Sequence, residues 1–432
     1  MKKLLPLAIG AALLAAASSA FAITDEEGNA SLQFNFSAPG ARSLAMGGAF
    51  IGLADDATAA FSNPAGLTQL ASKEVSFEQR INDFSTEYVR TGSYTPDPFN
   101  INGLSYDEAR SQTHAPSFIS FVWPHENWAV AVYRHEFLNY ETGFTSTGVD
   151  SGLANGAGDI FPFTAAIDVR ISNFGLSGAF KATDKLSLGI SLNNFNLDLD
   201  SNTRRFTMLG DTVTRFSTQQ YGNDGAFGFS LGGQYRINDQ WQTGLVYRHA
   251  PEFKYTASII PGSQNFTRID KSAYFDTPDL FGIGVVYRPT EAWTVALDVS
   301  HVMYSDLTNN MQSNFRIDDS DALSRSALDP LQIDDGVEVR LGMEYTFTEA
   351  KVPFSLRAGL WQDPEHTVRF QGTPSLDSGD AVANAVLFST GNGNELHTSI
   401  GFGWAFEKVQ IDAAFDASDR NQTISMSGVV RF

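Results

Sequence analysis

The sequence predicts an all-β protein, a 14-stranded antiparallel transmembrane β-barrel, and three observations carry that prediction. A secretory leader opens the chain, no later segment is apolar enough to cross a bilayer as a helix, and from about residue 74 apolar residues recur at every second position in fourteen segments. The composition agrees, with 34 Phe, 37 Gly and 12% aromatic residues beside a formal net charge of −20 and no cysteine. The missing cysteines exclude disulfides, thiolate metal sites and cysteine nucleophiles. The acidic balance disfavours nucleic acid, which needs basic patches.

In chain order the leader comes first. Lys2 and Lys3 precede an apolar run from Leu4 to Ala17, and Ala20–Ala22 supplies small residues at a cleavage site. The run is shorter than the ~20 apolar residues a spanning helix needs, so residues 1–22 read as a signal peptide. A leader ahead of amphipathic strands places the mature chain in a bacterial cell outer membrane as a multi-pass protein. Before the strands, the longest weakly polar run is "AMGGAFIGLA" (Ala45–Ala54), ended by Asp55 and Asp56.

The strands follow at 74–81, 115–123, 128–139, 165–181, 185–200, 225–237, 241–255, 279–289, 293–305, 336–347, 353–363, 396–406, 409–417 and 423–432. In "VEVRLGMEYTF" one face holds Val337, Val339, Leu341, Met343, Tyr345 and Phe347, the other Glu338, Arg340, Gly342, Glu344 and Thr346. Connections alternate: "PHEN", "TDK", "NDQ", "PTEA", "TEAKV" and "KV" are tight, whereas 82–114, 140–164, 201–224, 256–278, 306–335 and 364–395 are long. That parity matches short periplasmic turns and long extracellular loops, with both termini periplasmic. Tyr235, Arg236 and Trp241 repeat as Tyr287, Arg288 and Trp293, an aromatic girdle at the periplasmic interface. Ile424, Met426, Val430 and Phe432 close the chain in one outward phase.

Two segments lose phase. Ile167, Val169 and Ile171 pass to Phe174, Leu176 and Phe180 as the outward set, which predicts a bulge near Ser172–Asn173. The third segment runs as Trp128, Val130 and Val132 and then meets Arg134, His135 and Glu136, which fits either a kink that opens the wall or a strand emerging among headgroups.

Candidate chemistry is sparse. "GFSLG" (Gly228–Gly232) matches a nucleophile pattern, but Phe229 and Leu231 lie mid-strand and not on a strand–turn–helix elbow. The seven His show no metal-ligand spacing. The chain therefore reads as a non-enzyme with no cofactor and no metal. The acidic stretch 316–335 falls in an outer loop, as solvated surface or a contact for divalent ions or lipopolysaccharide. Arg170, Arg236, Arg248, Arg288, Arg340 and Arg357 are assigned to the lumen face, Arg236 and Arg288 at the periplasmic rim. Arg170 has Asp168 and Arg340 has Glu338 two residues away, whereas Arg248 has Val246 and Ala250. An arginine among small apolar residues can receive a carboxylate in its planar fork, so Arg248 leads the ligand-binding candidates, with Arg340 and Arg170 behind it.

The segment "SAPGARSLAMGGAFIGLADDATAAFSNPAGLTQL" (Ser37–Leu70) resembles the amino-terminal hatch of the FadL/TodX (OMPP1) family of outer-membrane transporters for long-chain fatty acids and aromatic hydrocarbons. The likeness rests on "ADDA" (Ala54–Ala57) six residues ahead of "NPA" (Asn63–Ala65). It implies a hatch, residues 23–72, folded inside the lumen of a barrel made by residues 73–432. It also implies capture of a hydrophobic small molecule by outer loops, movement of the hatch's N-terminal tip, and release through a lateral gap at a kink in the third strand. Asp55, Asp56, Asn63, Pro64, Ala65 and Gly66 become the hatch and gating residues. The surroundings would be outer-membrane lipid and lipopolysaccharide, and the chain a monomer. "NPAGL" after "AMGGAF" also resembles PorV-type barrels, which serve protein secretion.

A plug makes physical sense, because a barrel this wide would conduct if empty. Gly47, Gly48 and Gly52 permit close approach to the wall, Asp55 and Asp56 need basic partners, and Pro64 biases Asn63 away from helix.

Overall fold

The computed structural model describes residues 34, 36, 38–153, 156, 158–206, 214–261, 268–309, 331–372, 379–389, 391 and 393–432. The expected signal peptide and most of the acidic outer stretch lie outside these residues.

Fourteen strands form the wall: β1 Glu74–Ser93, β2 Leu104–Pro124, β3 Trp128–Ser146, β4 Phe163–Lys181, β5 Leu186–Phe206, β6 Thr214–Arg236 and β7 Trp241–His249, continued by Glu252–Pro261. They go on as β8 Ile269–Asp276, continued by Leu280–Tyr287, then β9 Trp293–Val302, β10 Gly336–Phe347, β11 Phe354–Asp363, β12 Glu395–Ala405, β13 Val409–Ala417 and β14 Asn421–Arg431. Each pairs antiparallel with its neighbour, and β1 closes on β14 from Glu74↔Arg431 to Phe84↔Asn421. Closure removes the free edges that a bilayer could not satisfy. At the short-turn end, Trp241 stacks on Tyr287 at 4.4 Å and Trp293 lies 4.8 Å from Tyr345, which forms the expected girdle.

The wall is taller than hydropathy suggests. Much of 82–114, 140–164, 201–224 and 256–278, expected as loop, is strand: β1 pairs with β2 as far as Gly92↔Leu104, and β5 with β6 as far as Phe206↔Thr214. Beyond the lipid belt the outward positions turn polar, as in the exposed pair Arg90–Asp107, so the outward apolar signal stops while the backbone ladder continues.

The phase change in β4 has a related cause. Its ladder with β5 runs unbroken from Phe163↔Arg205 to Lys181↔Ser187, so no bulge exists at Ser172–Asn173. Phe174, Leu176 and Phe180 face out, each more than half exposed, whereas Ile167, Val169 and Ile171 are buried and face in. The apolar face thus switches from the outside to the inside partway up the strand. Arg170, expected in the lumen, consequently sits on the outer face, half exposed and paired with Asp168 at 2.7 Å.

Residues 38–72 run inside the ring as α1 Ala41–Ala45, α2 Ala59–Ser62 and a 3₁₀ turn Pro64–Gln69. Among the described residues, two further short helices, α3 Asp306–Asn309 and α4 Gly379–Leu387, lie in the long connections.

Candidate functional site

The inner segment is seated where the wall lacks side chains. Gly189 of β5 lies opposite Gly232 of β6, Gly244 of β7 opposite Gly284 of β8, and Gly342 of β10 opposite Gly359 of β11. A Cβ at any of these would run into the inner segment: Pro64 and Ala65 at Gly189, Asn63 at Gly232, Ile51 and Gly52 at Gly244 and Gly284, Met46 and Gly47 at Gly342 and Gly359. Close backbone approach is what strand glycine permits.

Polar bonds complete the seat. Asn63 donates from Nδ2 to the Ile51 carbonyl at 2.9 Å and accepts from the Ala65 amide at 3.2 Å, capping the Pro64–Gln69 turn. Pro64 opens that turn, where its missing N–H costs nothing. Gly66 lies against the Ala54 carbonyl, with no room for a Cβ. Glu78 of β1 accepts from the Gly40 amide at 2.8 Å, and Arg80 donates to the Ala38 carbonyl at 2.9 Å.

Asp55 and Asp56 find cations. Asp55 bridges Arg42 at 2.5 Å and Arg288 of the β8–β9 turn at 3.3 Å. Asp56 lies 3.6 Å from Arg42 and accepts from the Thr58 amide at 2.9 Å and hydroxyl at 2.6 Å. Arg42 also grips Glu344 of β10 with two 2.9 Å bonds, and Glu344 and Asp412 hold Arg357 at 2.6 and 2.7 Å. Burial works against the Arg42 charge, but Asp55 and Glu344 outweigh it and raise its pKa further. Burial lifts the Asp56 carboxyl above its ordinary value despite Arg42.

Towards the long-loop end the lumen turns apolar. One cavity is lined by Phe34, Ile167, Val169, Leu197, Leu199 and Phe275 among others, with Ser201, Gln220 and His366 among its polar members. Below it, a second cavity meets Phe36, Phe137, Val246, Arg248, Tyr304 and Arg340. Arg248 lies over the Phe61 ring at 4.0 Å and donates to the Phe61 carbonyl at 3.3 Å, while its buried Nε has no hydrogen-bond partner. Arg340 is tied to Glu338 at 2.9 Å, to the Gly47 carbonyl at 3.1 Å, and lies 4.0 Å over the Trp361 ring. Phe36 stacks on Phe137 at 4.9 Å, and Phe34 meets Tyr140 and Phe275 edge-on.

The backbone ladder breaks off between two neighbouring strands near the third strand's phase change. β2 and β3 pair only from Pro124↔Ala129 to Phe118↔His135, after which each strand continues bonded to its other neighbour. Both strands bulge at that point: Ser117 is skipped between Phe118 and Pro116, and Phe137 between Glu136 and Leu138. Pro116 offers no ladder donor, which suits it to a strand edge. The upper part of β3 leans inward to β1 instead, where Tyr140 and Thr86 hydroxyls meet at 2.6 Å and the Thr147 amide reaches the Arg90 carbonyl at 2.8 Å. A third cavity, lined by Phe36, Ala115, Ser117, Glu136, Leu138 and Asn139 among others, reaches this opening.

Of the sequence candidates, Arg248 and Arg340 share one cavity and Arg170 is outside it. Arg42, Glu344, the wall glycines and the Phe36–Phe61–Phe137 aromatic group were not anticipated. The glycines had a signal, since each occupies an inward position in a strand with clean outward alternation.

Among curated protein sequences, none matches the chain. Solved structures share its fold at low identity. The CymD monoaromatic hydrocarbon channel aligns with a TM-score of 0.58 and 17% identity over 93% of this chain and 99% of that one. A Pseudomonas aeruginosa FadL homologue gives 0.61 and 14% over 94% and 100%, and the Pseudomonas putida toluene transporter TodX gives 0.58 and 17% over 92% and 98%. The match to the family described as outer membrane protein transport protein (OMPP1/FadL/TodX) spans residues 20–425, from before the inner segment to the last strand, and the chain belongs to that family.

Proposed function

We propose that the protein is a bacterial outer-membrane channel for uptake of hydrophobic small molecules, of the long-chain fatty acid or aromatic hydrocarbon class, by diffusion and without covalent chemistry. The observation that carries this reading is the inversion of the strand faces. A barrel in contact only with water inside would keep polar residues inward along its whole height, whereas here Ile167, Val169, Leu197 and Leu199 line a buried cavity. The hydrocarbon-channel and toluene-transporter descriptions of the similar structures support the same class.

On this reading residues 23–72 are the hatch, seated by Asp55, Asp56, Asn63, Pro64, Ala65 and Gly66. Phe34 and Phe36 stand between the cavities and are the part that moves. The opening beside Pro116 and Phe137 is the way out to the bilayer. Arg248 receives a polar head group with its free Nε, and Arg340, held by Glu338, shapes the same cavity. A secretion component of the PorV kind would have no use for the apolar lining.

The test is uptake of labelled oleate and toluene by cells with and without the gene. Equal uptake of both would sink the transport reading. Arg248→Ala should weaken oleate uptake by roughly tenfold, the worth of about one charge-assisted hydrogen bond, and spare toluene. Equal effects on both solutes would remove Arg248 as a head-group site.

A further inference from the structure

On the outer face of β3 the exposed set Trp128, Val130 and Val132 is followed by Arg134, directly opposite Ile119 of β2 and Phe174 of β4, which are both exposed apolar residues. A guanidinium on the lipid face of a barrel is costly, so a chain that keeps one there must satisfy it. Arg134 is satisfied in a particular way. Its Nη1 donates to the Pro116 carbonyl at 2.6 Å, and its Nη2 pairs with Glu136. The last backbone pair between β2 and β3 is Phe118↔His135, so the bond from Arg134 to Pro116 crosses from one lip to the other just where the ladder has ended. Glu136 also lines the cavity behind the opening.

We propose that Arg134 is the latch of this side opening, a positioning residue that holds β3 to β2 while Glu136 neutralises it. Cargo filling the cavity displaces Glu136, the guanidinium loses its counter-ion, and the bond to Pro116 yields. The lips then part far enough for an apolar molecule to enter the bilayer. A bond from a side chain to one carbonyl suits this task better than a ladder, because breaking it leaves no row of backbone groups facing lipid. The inference rests on the opening being the exit route of the proposed channel.

The chain has no cysteine, so Gln112→Cys and Glu141→Cys, exposed positions on either side of the opening, can carry spin labels without background. Label distances are compared in lipid vesicles for the otherwise unchanged protein, for Arg134→Met, and for Arg134→Lys. Met keeps the length and removes the donors, so its distance should grow by about 5 Å, one strand spacing, and toluene passage should speed. Lys restores one charged donor and should return most of the distance population to the starting value. Identical distance distributions in all three proteins overturn the latch. A longer distance in Arg134→Met with no passage of toluene or oleate in any of them upholds the latch and removes the transport reading instead.

Discussion

At the floor of the lumen Arg42 ties the inner segment to itself and to the wall, because one guanidinium holds Asp55, Asp56 and Glu344 together. Breaking a partly buried pair strands the remaining charge, so Asp55→Ala should loosen the inner segment by about 1–3 kcal/mol and, if that segment is the proposed plug, raise ion conductance in planar bilayers. Unchanged conductance would show that the glycine seat holds alone. Asp56 should behave differently. Its pKa is higher in the folded chain, so it weighs against folding at neutral pH, and that weight fades as pH falls through the raised value towards the ordinary one. Asp56→Asn keeps an acceptor for Thr58 and should match or exceed wild type in Tm at pH 7, with the advantage gone by pH 4. An advantage that grew on acidification would contradict this. That these carboxylates need cations was legible from residues 55 and 56 themselves. That Glu344 shares the cation was not, because 302 positions separate it from Arg42 and only the barrel brings them together.

At the scale of elements, the lower strands were legible because lipid enforces an alternation that water does not. Every one of the fourteen segments falls on a strand, and the misreadings all lie above the belt. In β4 the rule that outward means apolar held through Phe174 and failed at Ile171, because a second apolar medium, the cavity, lies on the other side. A one-residue insertion and an inversion of environment leave the same trace in a sequence. The insertion in the neighbouring strand, Phe137 of β3, was hidden behind charged residues. Deleting Phe137 keeps residues below and above it on their present faces, since inward positions are odd through His135 and even from Leu138 onward. The deletion should extend the β2–β3 ladder, close the opening and cut uptake of hydrophobic solutes severalfold, with heat-modifiable gel migration intact. The wall glycines give a paired test. Gly359→Val meets Gly47 and Met46 and should unseat the inner segment at a cost of about 1–3 kcal/mol, whereas Gly178→Ala meets nothing and should be silent in the same conductance assay.

Across the whole molecule the lumen is polar at the floor and apolar in the upper cavity, which Phe34 lines, while Phe36 lines both the cavity around Arg248 and the one that reaches the break beside Pro116. Removing residues 23–66 should convert the barrel into a conducting pore and abolish any preference for hydrophobic solutes. Conductance no higher than that of the intact chain would mean that the wall alone closes the lumen.

The glycine seat bears also on how such a molecule is made. Its glycines come from β5 to β12, while the ring is closed by the first and last strands, from Glu74↔Arg431 upward. A finished ring would have to admit residues 38–72 lengthwise past Glu344 and the other wall groups they bond, so the expectation is that the wall is laid around them, strand by strand. The order expected on that ground is interior before seam. Protease protection at Arg42 should appear before the heat-resistant form, and a chain lacking β14 should already shield that site.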